Sequence, residues 1–212
     1  MNPLWLLFLL PLVSAALIHF VLKQKFASYA ALLGTISTGV TLVLAVLWLN
    51  GTFTELPAFD WIKTGSHDAL QIGLVGDQLA KGMMIVVCGI GFLVHVFSLG
   101  YMKSDDAKAR YFGNLSLFMF SMTGIVLASN FIMMFIFWEL VGLSSYLLIG
   151  HWYHKNSAAD AAKKAFLANR VGDFGFMIGI LMLWGITGTV VFAEMDGGTL
   201  GAVCSCLASA TI

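Results

Sequence analysis

Apolar residues run through this chain in six long blocks separated by short polar intervals, at about 3–22, 29–49, 78–99, 112–128, 130–150 and 164–187. Each block approaches the roughly 20 residues a helix needs to cross the hydrocarbon core of a bilayer, and so predicts a transmembrane α-helix. The fourth and fifth blocks are interrupted only by Ser129-Asn130, which leaves room for a very short connection. The longest polar interval, about 50–77, holds Pro57, several glycines and an alternation of polar and apolar positions, enough for a short hairpin outside the membrane. The pattern predicts an all-α polytopic membrane protein with about six transmembrane helices.

Composition agrees. The chain has 212 residues, of which 59% are hydrophobic and 10% charged, where soluble domains run at about 25% charged. Mean hydropathy is +0.91. The formal net charge of zero argues against a nucleic-acid partner and a polybasic hold on a membrane surface. Met1-Asn2-Pro3-Leu4-Trp5 has no positive n-region, so the first block reads as a spanning helix and not a cleaved signal peptide. Cys88, Cys204 and Cys206 lack Cys-x-x-Cys spacing and support neither a metal site nor a disulfide framework; Cys88 reads as a packed small apolar group. The sequence carries no iron–sulfur, haem or flavin signature. Trp5, Trp48, Trp61, Trp152 and Trp184 fall near span ends or in loops and suit an interfacial aromatic belt.

The basic residues set the orientation. Lys23, Lys25, Lys103, Lys108, Arg110, Lys155, Lys163 and Lys164 fall in the odd-numbered loops, and only Lys63 and Lys81 on the other side, with Glu55, Asp60, Asp68, Asp77, Glu194 and Asp196. The positive-inside rule makes the odd loops cytoplasmic and puts both termini outside, periplasmic if the membrane is a bacterial inner membrane.

Charges inside the spans are the candidate chemistry. Glu139 lies about eleven residues, or roughly 16 Å, from the cytoplasmic end of the fifth span. Asp173 lies at a similar depth in the sixth, with Arg170 one turn shallower. A charge at mid-membrane costs at least about 2.5–3.5 kcal/mol, and marks an ion or substrate path by default. Arg170 and Asp173 can pair at i, i+3, while Glu139 has no cation nearby in sequence. This set permits a proton relay, in which a cation moving toward or away from a buried carboxylate makes it release or take a proton. A structural Arg170–Asp173 pair is the plainer alternative. His95, in the third span, is a lesser relay candidate. His19 reads as a hydrogen-bonded packing residue, and His151 and His154, beside Trp152 and Tyr153, as interfacial groups. Lys163 and Lys164 sit where helix meets cytoplasm, as snorkelling anchors or, more pointedly, a proton intake. Gly175-x-x-x-Gly179 permits close approach of another helix.

Two runs carry a family resemblance. Trp138-Glu139-x-Val141-Gly142-Leu143-x-Ser145-Tyr146-Leu147-Leu148-Ile149-Gly150 and Lys164-Ala165-Phe166-x-x-Asn169-Arg170-Val171-Gly172-Asp173-Phe174 resemble the large antiporter-like membrane subunits of respiratory complex I, the subunit L family of NADH:quinone oxidoreductase. Weaker support comes from Asp77 and Leu79 opening the third span and Tyr101-Met102 closing it. The resemblance extends over about 1–190, and divides the chain into helices one to three at 1–110, the start of an antiporter-like module at 111–190, and a tail at 191–212. It implies that Glu139 is the family's key glutamate, that Arg170 and Asp173 match its ion pair, and that the subunit moves protons through a carboxylate/cation relay coupled to remote redox chemistry. It implies no cofactor in this chain, with NADH, FMN, iron–sulfur clusters and quinone in partner subunits. Other membrane-arm subunits and the lipid bilayer are the expected partners. Related subunits occur in multi-subunit cation/proton antiporters and membrane-bound hydrogenases, which are the alternative hosts. Family members are about three times longer, with two inverted repeats and a broken seventh helix whose lysine partners the glutamate. This chain is expected to end inside the first repeat, which leaves a non-transporting structural fragment as a third reading.

Overall fold

Each apolar block forms one helix. The computed structural model describes residues 3–22, 26–51, 59–64 and 68–192. Helix α1 (Pro3–Leu17) runs on into a π-helical turn, Ile18–Leu22. Helices α2 (Ala27–Leu49), α3 (Gln78–Tyr101), α4 (Lys108–Leu127), α5 (Phe131–Ile149) and α6 (Asn156–Thr187) follow, with a 3-10 turn at Gly150–Trp152. Between α2 and α3 the polar interval forms the expected hairpin: β1 (Phe59–Thr64) pairs antiparallel with β2 (Asp68–Ile72), from Phe59 opposite Ile72 to Thr64 opposite Asp68.

Helix α6 starts eight residues before the block at 164, and the physical reason is legible afterwards. Ser157-Ala158-Ala159-Asp160-Ala161-Ala162-Lys163-Lys164 is too polar to register as a span but is rich in alanine and lysine, both strong helix formers. At 1.5 Å per residue, 32 residues reach about 48 Å, well beyond the roughly 30 Å hydrocarbon core, so the first turns stand clear of it.

Five of the helices are long and apolar enough to cross a membrane by length and composition, and α4 is not among them. Its place in the fold explains the difference. Helix α4 packs against α1, α2, α3 and α5, which shield it from lipid. Asn114, Ser116, Ser121 and Thr123 are accordingly buried on it. Ser121 and Thr123 donate to carbonyls of their own helix, at 2.8 Å to Leu117 and 2.9 Å to Phe120. Because lipid is as apolar as a side chain, such a bundle is held by close packing more than by hydrophobic transfer. Gly34 of α2 provides one close approach: a Cβ there would lie 3.2 Å from the Ser116 hydroxyl. Packing runs continuously across residue 110, where the sequence motifs divide the chain.

The core falls into two clusters. Leu4, Leu7, Phe8, Trp48, Met84, Cys88, Met119, Phe120 and Leu127 fill the larger one, and Ile18, Ala30, Ala31, Met102, Ala109 and Phe112 the smaller. Cys88 is buried as expected. Trp48 is not an interfacial anchor: it is fully buried, beneath Gly76 and with the Lys81 ammonium 5.7 Å from its ring. Gly76 has no side chain because the indole occupies that space. Trp61, Cys204, Cys206 and the tail beyond 192 lie outside the described side chains.

The connections at one end of the bundle are tied together by main-chain hydrogen bonds. Val75 donates to Leu127, Phe131 to Val190 and Phe192 to Ser129, at 3.0–3.2 Å. Asn130 caps α5 by accepting the Met133 amide at 2.7 Å. Its neighbour Ser129 accepts the Gly73 amide on its hydroxyl. The Ser129-Asn130 break between spans four and five is thus a built turn, three residues long.

Candidate functional site

The α5–α6 seam carries the intramembrane charges. On α5, Glu139, Gly142 and Tyr146 share a face by their spacing of three and seven. Gly142 opens that face: a Cβ there would already touch the Asn169 amide on α6, at 3.7 Å. On α6, Phe166, Asn169, Arg170 and Asp173 recur at helical spacing. The Arg170 guanidinium donates to the Glu139 carboxylate across the seam. It also lies over the Phe166 ring, 4.7 Å from its centroid, and that ring packs on Tyr146 at 5.3 Å.

This corrects the pairing read from sequence. Glu139 takes Arg170 as its cation, and Asp173 is left without a hydrogen bond or ion pair among the described residues. Asp173 is only 6% exposed. It lines a cleft of about 350 Å³ with Trp138, Asn169, Gly172 and Phe176. Trp138 and Phe135 both pack on Phe176, at 5.6 and 5.8 Å, and so hold α6 to α5 beside that cleft. The Glu139 and Arg170 side chains are 22% and 41% exposed, since α6 lies at the edge of the described bundle. Gly175 and Gly179 face open space, so no helix among the described residues uses that approach.

The other sequence candidates stand apart from this trio. His95 is fully buried on α3: its Nδ1 donates to the Gly91 carbonyl at 2.8 Å and its ring packs on Phe112. Its Nε2 has no partner among the described residues. Lys163 lies 3.7 Å from the exposed Asp160, and Lys164 is exposed on α6. His19 is hydrogen-bonded, as expected, with Nδ1 3.0 Å from the Ala15 carbonyl and Nε2 3.1 Å from Asn114 Oδ1. Gly113 makes room for that ring.

One polar cluster was not foreseen. His151 is buried, not interfacial, and its Nε2 lies 3.4 Å from Asp105 in the α3–α4 loop. Asp105 also accepts from Trp152 Nε1 at 2.8 Å and from the Ala107 amide at 2.7 Å. Arg110 donates to the His151 carbonyl at 2.8 Å and lies 5.0 Å from the Tyr153 ring. The α3–α4 loop is thereby fastened to the α5–α6 turn. The only signal in the sequence was an acidic pair, Asp105-Asp106, set among Lys103, Lys108 and Arg110.

Burial acts to raise the Asp105 carboxyl, but the bonds from Trp152 and Ala107 and the His151 charge outweigh it and hold it below its ordinary 3.8. A carboxyl depressed by folding stabilises above its unfolded value and loses that contribution as pH falls through the folded one. The melting temperature of the detergent-purified protein is therefore expected to be several degrees lower for Asp105→Asn at neutral pH, with the gap closing only below about pH 3.8. Equal melting temperatures at neutral pH would show that Asp105 fastens nothing.

These features define a polytopic integral membrane protein with an ion pair set into the seam of two spanning helices. The chain belongs to the NADH:quinone oxidoreductase/Mrp antiporter family of membrane subunits. Residues 128–209 match the family described as NADH:quinone oxidoreductase/Mrp antiporter, transmembrane region, and residues 61–112 match the N-terminus of chain 5 of NADH-ubiquinone oxidoreductase (complex I). The first match runs past 190, where the recognisable motifs stop. The chain is 40% identical over 205 residues to NADH-quinone oxidoreductase subunit L of Mycobacterium tuberculosis, covering 93% of this chain and 32% of that one. It is 38% identical over 218 residues to NAD(P)H-quinone oxidoreductase chain 5 of Synechocystis, covering 98% and 32%. The chain thus spans about a third of the length of these curated relatives. A chain of the membrane-bound sulfane sulfur reductase, an archaeal respiratory membrane complex, shares the fold with a TM-score of 0.73 at 24% identity, over 90% of this chain and 39% of that one.

Proposed function

We propose that the chain works as a membrane-arm subunit of a proton-pumping NADH:quinone oxidoreductase, relaying protons through Glu139, Arg170 and Asp173 while the redox chemistry takes place elsewhere. The observation that supports this is the pairing of Arg170 with one of the two carboxylates of the seam. It bonds Glu139 across the seam, and Asp173 lies one turn further along its own helix, buried and without a partner among the described residues.

The electrostatics follow from that placement. Arginine stays charged at any working pH, so it cannot carry the proton; it decides which carboxylate does. A carboxylate with the guanidinium beside it is favoured as the anion, and one left alone in apolar surroundings as the neutral acid. Swinging Arg170 from Glu139 to Asp173 makes Asp173 release a proton and Glu139 take one, and the reverse swing restores both. A charge arriving from a neighbouring subunit supplies the bias. Lys163 and Lys164 stand at the end where protons would be taken in, and His95 is a secondary relay on α3. NADH, FMN, iron–sulfur clusters and quinone belong to partner subunits in this reading. The chain then sits in a bacterial inner membrane with its basic loops cytoplasmic and both ends of the chain periplasmic.

Asp173→Asn tests the switch. It removes the second station, leaves Arg170 on Glu139, and is expected to cut NADH-driven proton uptake into inverted membrane vesicles roughly tenfold or more. Uptake at the wild-type level would discard Asp173 as a relay group. Sodium-dependent proton exchange that persists when electron transfer is inhibited would move the chain to an antiporter complex instead.

A further inference from the structure

The ends of α4, α5 and α6 that carry the basic loops enclose a cleft of about 230 Å³, which neither Glu139 nor Arg170 lines. Arg110, Asn114, Tyr146, Gly150, Tyr153 and Lys163 are among its lining residues. We infer that this cleft binds the phosphate headgroup of an anionic phospholipid.

Three observations point to an anion. First, Arg110 is a cation without a carboxylate partner among the described residues. It is held in place by the His151 carbonyl at 2.8 Å and the Tyr153 ring, and these use only part of its donor set. A fixed guanidinium with spare N–H groups is preorganised for phosphate oxygens. Second, Asn114 is only 3% exposed and lines the cleft, and its amide meets the His19 ring through one atom at 3.1 Å, which leaves the rest of the amide with no bond inside the chain among the described residues. That is a polar side chain in the wall of the cleft with hydrogen-bonding capacity to spare. Third, Lys163 adds a second cation at the rim. Its one ion pair, 3.7 Å to Asp160, joins two side chains more than 60% exposed, a contact weak enough to yield to a competing anion.

Position and lining select a lipid over a free ion. Under the orientation proposed above, the cleft lies at the level where the anionic leaflet presents its headgroups, and basic pockets between spanning helices on that side are suited to them. Much of the wall is apolar, from Leu147, Ala159, Ala162 and the two tyrosine rings, which fits a phosphodiester with its glycerol better than hydrated phosphate. The volume excludes acyl chains, which stay in the bilayer. Headgroup binding would draw Arg110 on α4 and Lys163 on α6 toward one ligand, and so staple the edge helix to the bundle.

The test uses the full chain purified in mild detergent and stripped of lipid. Short-chain phosphatidylglycerol, diacylglycerol and inorganic phosphate are titrated separately and followed by native mass spectrometry. A single phosphatidylglycerol is expected to be retained, with Arg110→Gln weakening it roughly tenfold or more. Lys163→Gln is expected to weaken it less, and it carries the test if the arginine variant fails to fold, because Lys163 is exposed. Lys81→Gln, at the far end of the bundle, serves as the unaffected control. Equal retention in the arginine and lysine variants would overturn the inference. So would diacylglycerol bound as well as the phospholipid, which would make this an acyl cleft. Inorganic phosphate retained alone and displacing the lipid would assign the site to the free ion and overturn the lipid reading.

Discussion

Proton translocation by the complex that carries this chain is expected to fall roughly 100-fold or more with Glu139→Gln, while the complex still assembles. Glutamine keeps the length of the side chain and an oxygen that can accept from Arg170, so the α5–α6 contact survives. What disappears is the group that takes and releases the proton in the proposed relay. Arg170 keeps a neutral partner at position 139, so its movement no longer loads or releases a proton there and the switch is broken. The measurement is NADH-driven acidification of inverted vesicles, alongside a native gel stained for NADH dehydrogenase activity to establish that the complex is present. Pumping at wild-type stoichiometry in the assembled variant would discard Glu139 as the relay. Loss of the stained band would instead make Glu139 a structural residue, needed to hold α6 on α5.

The spans and the identity of the charged residues were legible in the sequence because both follow from local chemistry. An apolar run of about 20 residues has one outcome in a bilayer. A carboxylate such as Glu139 inside one is conspicuous whatever surrounds it. The pairing was not legible. Arg170 can reach Asp173 along its own helix or Glu139 across the seam, and the choice depends on how α5 is rotated against α6. That rotation is set by contacts far apart in sequence, such as Gly142 beside Asn169 and Trp138 against Phe176. Trp48 failed for the same reason. Its place at a span end reads as interfacial, yet the segment around Gly76 folds back over the indole and buries it. The Asp105–His151 fastening joins loops 46 residues apart, with no periodicity to announce it. Helix α4 shows the converse: its polar residues weaken the hydropathy signal because other helices, not lipid, surround them.

Gly124→Ala is expected to destabilise the bundle even though alanine is the better helix former. On propensity alone the substitution gains up to about 1 kcal/mol. Against that, a Cβ at 124 would fall inside the ring of Phe137 on α5. The ring has little freedom to retreat: it meets Phe8 of α1 edge-on at 5.6 Å and Phe120 of α4 at 5.4 Å, and those two rings lie 4.9 Å apart. Overpacking of a rigid site costs about 1–3 kcal/mol, so the clash outweighs the propensity gain. Leucine at 124 is expected to prevent a folded bundle altogether. The consequence reaches the proposed relay, because Phe137 is two residues from Glu139 and the three-ring contact adds to the contacts that set the rotation of α5. Gly175→Ala is the matched control. Its Cβ meets nothing, so it is expected to be neutral or slightly stabilising. Melting of the detergent-purified protein distinguishes the two, and Phe137→Leu placed on Gly124→Ala is expected to recover part of the loss. That recovery is partial because the double variant gives up aromatic contacts worth about 0.5–1.5 kcal/mol per pair. A Gly124→Ala protein as stable as wild type, or a double variant worse than the two single changes added together, would mean that the ring can yield and that the rotation of α5 is set elsewhere.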